Sequence, residues 1–200
     1  MYRIRKILWR ILGIDYNYIL NKLDFTLLKF DQFTHKDVGT YDNGAKVWRW
    51  TQAKLEIGKY CSIAHQVNFI VDEGYHKGSQ ITSYPFINDK NKTDFNLELK
   101  QREGIKIGND VWIGMGSYIM PGVTIGNGVT IAANSVVTTD IPDYVVIAGS
   151  PARIIKHKYT EEQKIELNKI SWWNWDKETL NKRKLDFYQL TIDEFIHKYK

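Results

Sequence analysis

Aliphatic residues recur every six positions along much of this chain. From Ile107 the series runs Ile113, Ile119, Ile125, Ile131 and Val137. Four places after each stands a small or β-branched residue: Val111, Ser117, Val123, Val129, Ser135 and Ile141. Upstream, Ile57, Ile63 and Phe69 keep the same phase, with Cys61 and Val67 four places on. A six-residue period fits neither the helical 3.6 nor a plain strand alternation of two. A repeat of fixed period marks a solenoid, whose units bury an apolar face only by stacking on one another. The spacing predicts short strands joined by turns, three to a triangular coil. The aliphatic side chain points inward and the residue four later fills a tighter inner position. Asn109, Asn127 and Asn134 are expected at corners, where Asn tolerates left-handed backbone.

The phase breaks once. Phe69 and Ile107 lie 38 positions apart, which is not a multiple of six. The intervening stretch is rich in Asp, Asn, Lys and Gly, so it must leave the prism as a loop. The chain thus divides into a helical lead-in over residues 1–36, a coil domain over 37–155 with a loop at 72–104, and a helical tail over 156–200. In the tail, Thr160 ahead of Glu162-Gln163 reads as a helix start. That helix continues through Ile165 and Leu167 toward Trp172, and another spans Thr191 to Tyr199. Trp172-Trp173-Asn174-Trp175 admits two readings, a platform for sugar rings or packing back on the prism, and packing is favoured.

Charge and composition narrow the field. The net charge is +5, and the first fifty residues hold nine Lys and Arg against five Asp, or +4. Ile4, Ile7, Leu8, Ile11 and Leu12 alternate with Arg3, Arg5, Lys6 and Arg10 at helical spacing. Residues 1–13 therefore read as a cap on the open end of the solenoid or as a basic face for anionic lipid. Lys and Arg do not cluster in the repeats, which argues against nucleic acid. No apolar run is long enough to span a bilayer. Met1 to Gly13 lacks a small-residue cleavage site. A cytoplasmic location is expected, with the inner face of the membrane as the place of any lipid contact.

A single cysteine leaves no intrachain disulfide, and Cys61 sits at an inward position that suits packing. His65 lies inside a regular hexapeptide and is expected to face solvent or a neighbour. His76 lies in the loop, where a lone His is usually just solvated. A metal site needs convergent ligands, and only His65 and His76 fall near the coils, so no metal is expected.

Several segments in order resemble one family. They are Val38-Gly39-Thr40-Tyr41, Ile57-Gly58-Lys59-Tyr60-Cys61-Ser62-Ile63-Ala64, and His76 followed by Thr82-Ser83-Tyr84-Pro85-Phe86. Next come Ile107-Gly108-Asn109-Asp110-Val111-Trp112-Ile113-Gly114, Val137-Thr138-Thr139-Asp140-Ile141-Pro142, Gly149-Ser150-Pro151-Ala152-Arg153 and the tryptophan-rich tail. Together they are similar to the hexapeptide-repeat acyltransferases of the xenobiotic acetyltransferase branch. That branch includes streptogramin and type B chloramphenicol acetyltransferases and surface-polysaccharide O-acetyltransferases.

The resemblance implies a mainly β fold, a left-handed parallel β-helix of hexapeptide repeats with an extruded loop and a C-terminal helical tail. It implies a homotrimer with sites between subunits, and acetyl-CoA as acyl donor. His76 would be the general base, Trp112, Gly114, Ala133, Arg153 and Lys156 would contact the cofactor, and Tyr41, Asp72 and Tyr84 would face the acceptor. The chemistry is economical, because a thioester is already activated and needs only an acceptor hydroxyl losing its proton as it attacks. Lys77 and Gly78 stand where drug-modifying members carry Arg and Asp, which favours a sugar hydroxyl of a surface polysaccharide over an antibiotic. An antibiotic O-acetyltransferase, an amino-sugar N-acetyltransferase and a non-catalytic scaffold are the alternatives.

Overall fold

A computed structural model describes residues 32–72, 81 and 104–200. Its core is a prism with three faces. The first face stacks β1 (Thr34–Lys36), β4 (Leu55–Ile57), β7 (Ile105–Ile107) and β10 (Thr124–Ile125). The second stacks β2 (Tyr41–Asp42), β5 (Ser62–Ile63), β8 (Trp112–Ile113), β11 (Thr130–Ile131), β13 (Val145–Gly149) and β14 (Ala152–His157). The third stacks β3 (Lys46–Trp48), β6 (Asn68–Ile70), β9 (Tyr118–Ile119) and β12 (Val136–Val137). Through β12 each face receives every third strand, so three hexapeptides close one coil. Ile107 pairs in parallel with Ile125 one coil on, and Ile113 with Ile131. The architecture is the left-handed parallel β-helix of hexapeptide repeats. The coil already begins at Thr34, which pairs with Leu55.

The six-residue phase sets the core. Ile63, Ile113, Ile119, Ile131, Val137 and Phe69 are 0% exposed. Burying one such side chain contributes roughly 1.5–3 kcal/mol. The tighter inner sites hold Cys61, Val67, Val111, Val123 and Val129, all buried. Ser117 and Ser135 occupy the same position without stranding their hydroxyls. Ser117 Oγ donates to Gly114 O at 2.9 Å and Ala132 O at 3.0 Å, and Ser135 Oγ to Ala132 O at 2.7 Å.

Corners follow a different rule from the one expected at two of the three Asn positions. Asn134 is left-handed at φ 56°, as expected. At the corner between the first and second faces, however, the left-handed residues are Tyr60, Asp110, Gly128 and Tyr144. Asn109 and Asn127 stand one place earlier and serve through their side chains. Asn109 Oδ1 accepts the N–H of Lys59 and Asn127 Oδ1 that of Asn109, each at 2.9 Å, and Asp143 Oδ1 accepts that of Asn127 at 2.7 Å. This ladder runs up the prism, satisfying a corner donor at each level.

The last strand reverses. β14 runs antiparallel to β13, ending the regular coils. Then comes α1 (Glu161–Ile170), whose N-cap Thr160 forms a capping box with Gln163. α2 (Lys177–Arg183), α3 (Asp186–Gln189) and α4 (Ile192–Tyr199) follow, the last with a Thr191–Glu194 capping box. Asn168 of α1 docks the tail on the corner ladder, donating to Asp143 Oδ2 at 2.7 Å and accepting from Tyr144 Oη at 3.1 Å. The tryptophans are spent on packing. Trp173 is buried, Trp172 lies 5.2 Å from the Tyr60 ring, and Trp175 stacks on Phe187 and Phe195.

Candidate active site

The second face carries the sequence-derived candidates outward. Tyr41, Ser62, Trp112, Thr130, Val146 and Lys156 are successive register partners across it. Paired residues share a face, so these six form one row. With strands about 4.8 Å apart, the row spans about 24 Å from Tyr41 to Lys156. Tyr41 is 48% exposed and Trp112 56%. The Ser62 hydroxyl donates to Tyr41 Oη at 2.5 Å and holds that ring in place. The row thus presents two aromatic rings near one end and an exposed ammonium at the other.

Gly114 and Ala133 lie at the corner where the second face turns into the third. A Cβ on Gly114 would fall 2.5 Å from Ala133 N and 2.7 Å from Ile131 O. Glycine there is demanded by the approach of the next coil, whatever else the position does. Ala133 is exposed on that same edge. Arg153 pairs with Ala148 on β14, exposed, with one guanidinium nitrogen donating to Ala152 O at 2.9 Å. Trp112, Gly114, Ala133, Arg153 and Lys156 are therefore brought to one face and its adjoining edge.

Asp72 has a different placement. It is 1% exposed, and its Oδ2 accepts from Trp50 N, Thr51 N and Thr51 Oγ1 at 2.9, 2.9 and 3.0 Å. That oxygen holds the corner beneath the point where the extruded segment leaves. The segment's return is fixed as tightly, because Gly104 N donates to Val71 O at 2.8 Å. Its two ends are thus clamped side by side at the corner between the third and first faces. His76 and Tyr84, the two candidates carried by the segment, lie outside the described residues.

Cys61 is packed, not poised. Burial pushes its thiol up to about 11, against weaker opposing hydrogen bonds from the Val111 backbone and Thr40. Only a thiolate is a competent nucleophile. Among the described residues no group of His, Cys, Asp and Glu could hold a metal ion. Sequence reasoning passed over the Ser62–Tyr41 bond, which joins residues 21 apart and leaves no local signature.

Known proteins are similar in sequence to this chain. A family profile described as bacterial transferase hexapeptide (six repeats) matches residues 104–139. A "Probable macrolide acetyltransferase" of Lysinibacillus sphaericus is 37% identical over 164 residues, covering 80% of this chain and 91% of the relative. A chloramphenicol acetyltransferase of Morganella morganii is 42% identical over 127 residues, 61% of this chain and 60% of the relative. A galactoside O-acetyltransferase of Escherichia coli is 51% identical over 69 residues, 31% of this chain and 34% of the relative. The repeat, the prism it builds and the length of the first of these matches agree: the chain belongs to the hexapeptide-repeat acetyltransferases.

Proposed function

We propose that this protein moves an acetyl group from acetyl-CoA to a sugar hydroxyl of a surface polysaccharide or glycan precursor. The observation that carries the reading is the outward row from Tyr41 to Lys156, with exposed rings at Tyr41 and Trp112 and an exposed ammonium at its far end. An extended donor suits that row. Its phosphates would meet Arg153 and Lys156, since Arg forks onto phosphate oxygens. Its pantetheine arm would follow Gly114 and Ala133 past Trp112, bringing the thioester toward Tyr41. His76 would take the proton of the acceptor hydroxyl as it attacks the thioester carbonyl, and later return it to the leaving thiolate. No acyl-enzyme is needed. The clamped ends of the extruded segment support a general base held over a rigid scaffold. Asp72 contributes from below, as a positioning residue at the root of that segment.

The site is read as shared between subunits of a homotrimer, because one flat prism face cannot enclose a donor alone. A drug hydroxyl is the second reading, supported by the long match to a relative named for a macrolide. Lys77 and Gly78 favour the sugar.

Calorimetry with acetyl-CoA, thiol release with candidate acceptors, and light scattering test the proposal together. Binding at micromolar to millimolar donor, acceptor-dependent thiol release that survives EDTA, and a trimer mass are expected. No binding at millimolar acetyl-CoA would sink the reading in favour of a scaffold. Turnover of chloramphenicol or a macrolide but not of glycosides would replace the sugar by a drug.

A further inference from the structure

His65 is held in a way that a merely solvated histidine is not. It sits at the turn between β5 and β6, exposed, with Nδ1 2.5 Å from Asn43 O. A carbonyl oxygen can only accept, so Nδ1 carries the hydrogen of that bond. In the neutral ring this leaves the lone pair on Nε2. Nδ1 faces the backbone of the preceding coil, so Nε2 faces away from it. Among the described residues, Nε2 has no hydrogen-bond partner. The ring is therefore oriented, with a bare acceptor aimed outward.

Its neighbours belong to the candidate site. Asn43 follows Tyr41 by two residues, and Ser62, which holds the Tyr41 hydroxyl, precedes His65 by three. The His65 carbonyl accepts from Gly116 N at 3.1 Å, so Met115 and then Ala133 continue the same corner below it. The imidazole stands at the Tyr41 end of the row, four strands, or about 19 Å, from the Arg153 and Lys156 strand. That distance separates it from the proposed phosphate end of the donor.

We propose that His65 is an acceptor-binding residue, its Nε2 accepting a hydrogen bond from a hydroxyl of the acceptor next to the one acetylated. The partner class is a polyhydroxylated ring, because a second donor hydroxyl must lie within one ring of the first. This rests on the acetyl-transfer reading above. An oriented acceptor is worth more than a mobile one, since the ordering cost has already been met on folding.

Two substitutions separate the roles of the ring nitrogens. His65→Gln places an amide oxygen near the Nε2 position, whereas His65→Asn keeps only a donor near Nδ1 for Asn43 O. With methyl β-galactoside as the probe acceptor, KM for acceptor and for acetyl-CoA are measured in both variants and in His65→Ala. The expected result is an acceptor KM raised roughly tenfold or more in the Asn and Ala variants, substantially restored in Gln, with the acetyl-CoA KM within about twofold. A wild-type acceptor KM in Asn with loss in Gln would mean the ring only pins Asn43, and overturns the proposal. So does a change confined to acetyl-CoA. Long-range proton–nitrogen NMR of the imidazoles gives a readout without turnover: Nδ1–H with a bare Nε2 is expected at pH 8, and the opposite tautomer overturns the proposal. Absence of acetyl-CoA binding would instead remove the transfer reading while leaving this tautomer result in force.

Discussion

Asp72 Oδ2 accepts both the backbone N–H and the hydroxyl of Thr51, at 2.9 and 3.0 Å, across a corner 21 residues away. The carboxylate thus closes the first coil at the place where the extruded segment departs. Removing it strands two backbone donors in a part-buried corner. Asp72→Ala is expected to destabilise the protein by roughly 2–4 kcal/mol, read by urea denaturation. Asp72→Asn, which keeps an acceptor oxygen, should lose distinctly less. A melting point unchanged in Asp72→Ala would show that the corner does not depend on this contact.

Gly114 tests the stacking of coils. Its Cβ would meet backbone, not the flexible end of a side chain, at 2.5 Å from Ala133 N. Gly114→Ala should therefore cost about 1–3 kcal/mol through a local spreading of two coils. Thermal unfolding checks the magnitude. A fully wild-type melting point would mean the coils part without penalty.

The tail is pinned to the prism through Asn168, which meets Asp143, Tyr144 and Asn127. Asn168→Ala strands the Tyr144 hydroxyl and an Asp143 oxygen near the docking surface. It should cost about 1–3 kcal/mol and raise amide exchange over residues 161–170 while the coils stay protected. Exchange rising equally in coils and tail would contradict a separable docking step.

Cys61 gives a pH signature. Its thiol titrates near 11 in the folded protein because of burial, above its ordinary value of 9.0. The folded state therefore holds the proton more tightly than the unfolded chain. The stability this contributes is complete below pH 9, and is lost as pH rises from about 9 to 11. Cys61→Ser, with its higher intrinsic pKa, should lack that part of the alkaline decline in melting temperature. A disulfide reagent at pH 8 should label Cys61 only after denaturant is added, and fast labelling of the native protein would count against it.

His76 is the expected general base. His76→Ala should lower kcat by about 10²- to 10⁴-fold with acetyl-CoA affinity and assembly mass retained. His197, exposed on α4 in the tail, is the matched control. If His197→Ala lost turnover and His76→Ala stayed within a few-fold of wild type, the assignment would be wrong.

The sequence by itself determined which side chains point inward. Ile63, Ile113 and Ile131 are buried because strand and turn geometry repeat within six residues, and such local periodicity is written directly in the chain. The helix start at Thr160 and the helix from Thr191 were legible for the same reason, and the structure adds a capping box at each, whose partners lie within one helical turn. The break in phase fell between β6 and β7, where the described coils stop and resume. What stacking decides was not legible. Asn109 and Asn127 were expected to bend the backbone, yet they bridge coils through side chains to residues 50 and 18 positions away. Asp72 was expected to face an acceptor, and its bond to Thr51 had no local signature. The Tyr41–Ser62 and His65–Asn43 contacts join residues 21 and 22 apart. Their partners are chosen by the register of one coil on the next, a relationship between distant segments that no local pattern encodes. Only closure of the prism brings Tyr41, Trp112 and Lys156 into one row, because every third strand through β11 returns to the same face and the antiparallel β13–β14 pair extends it.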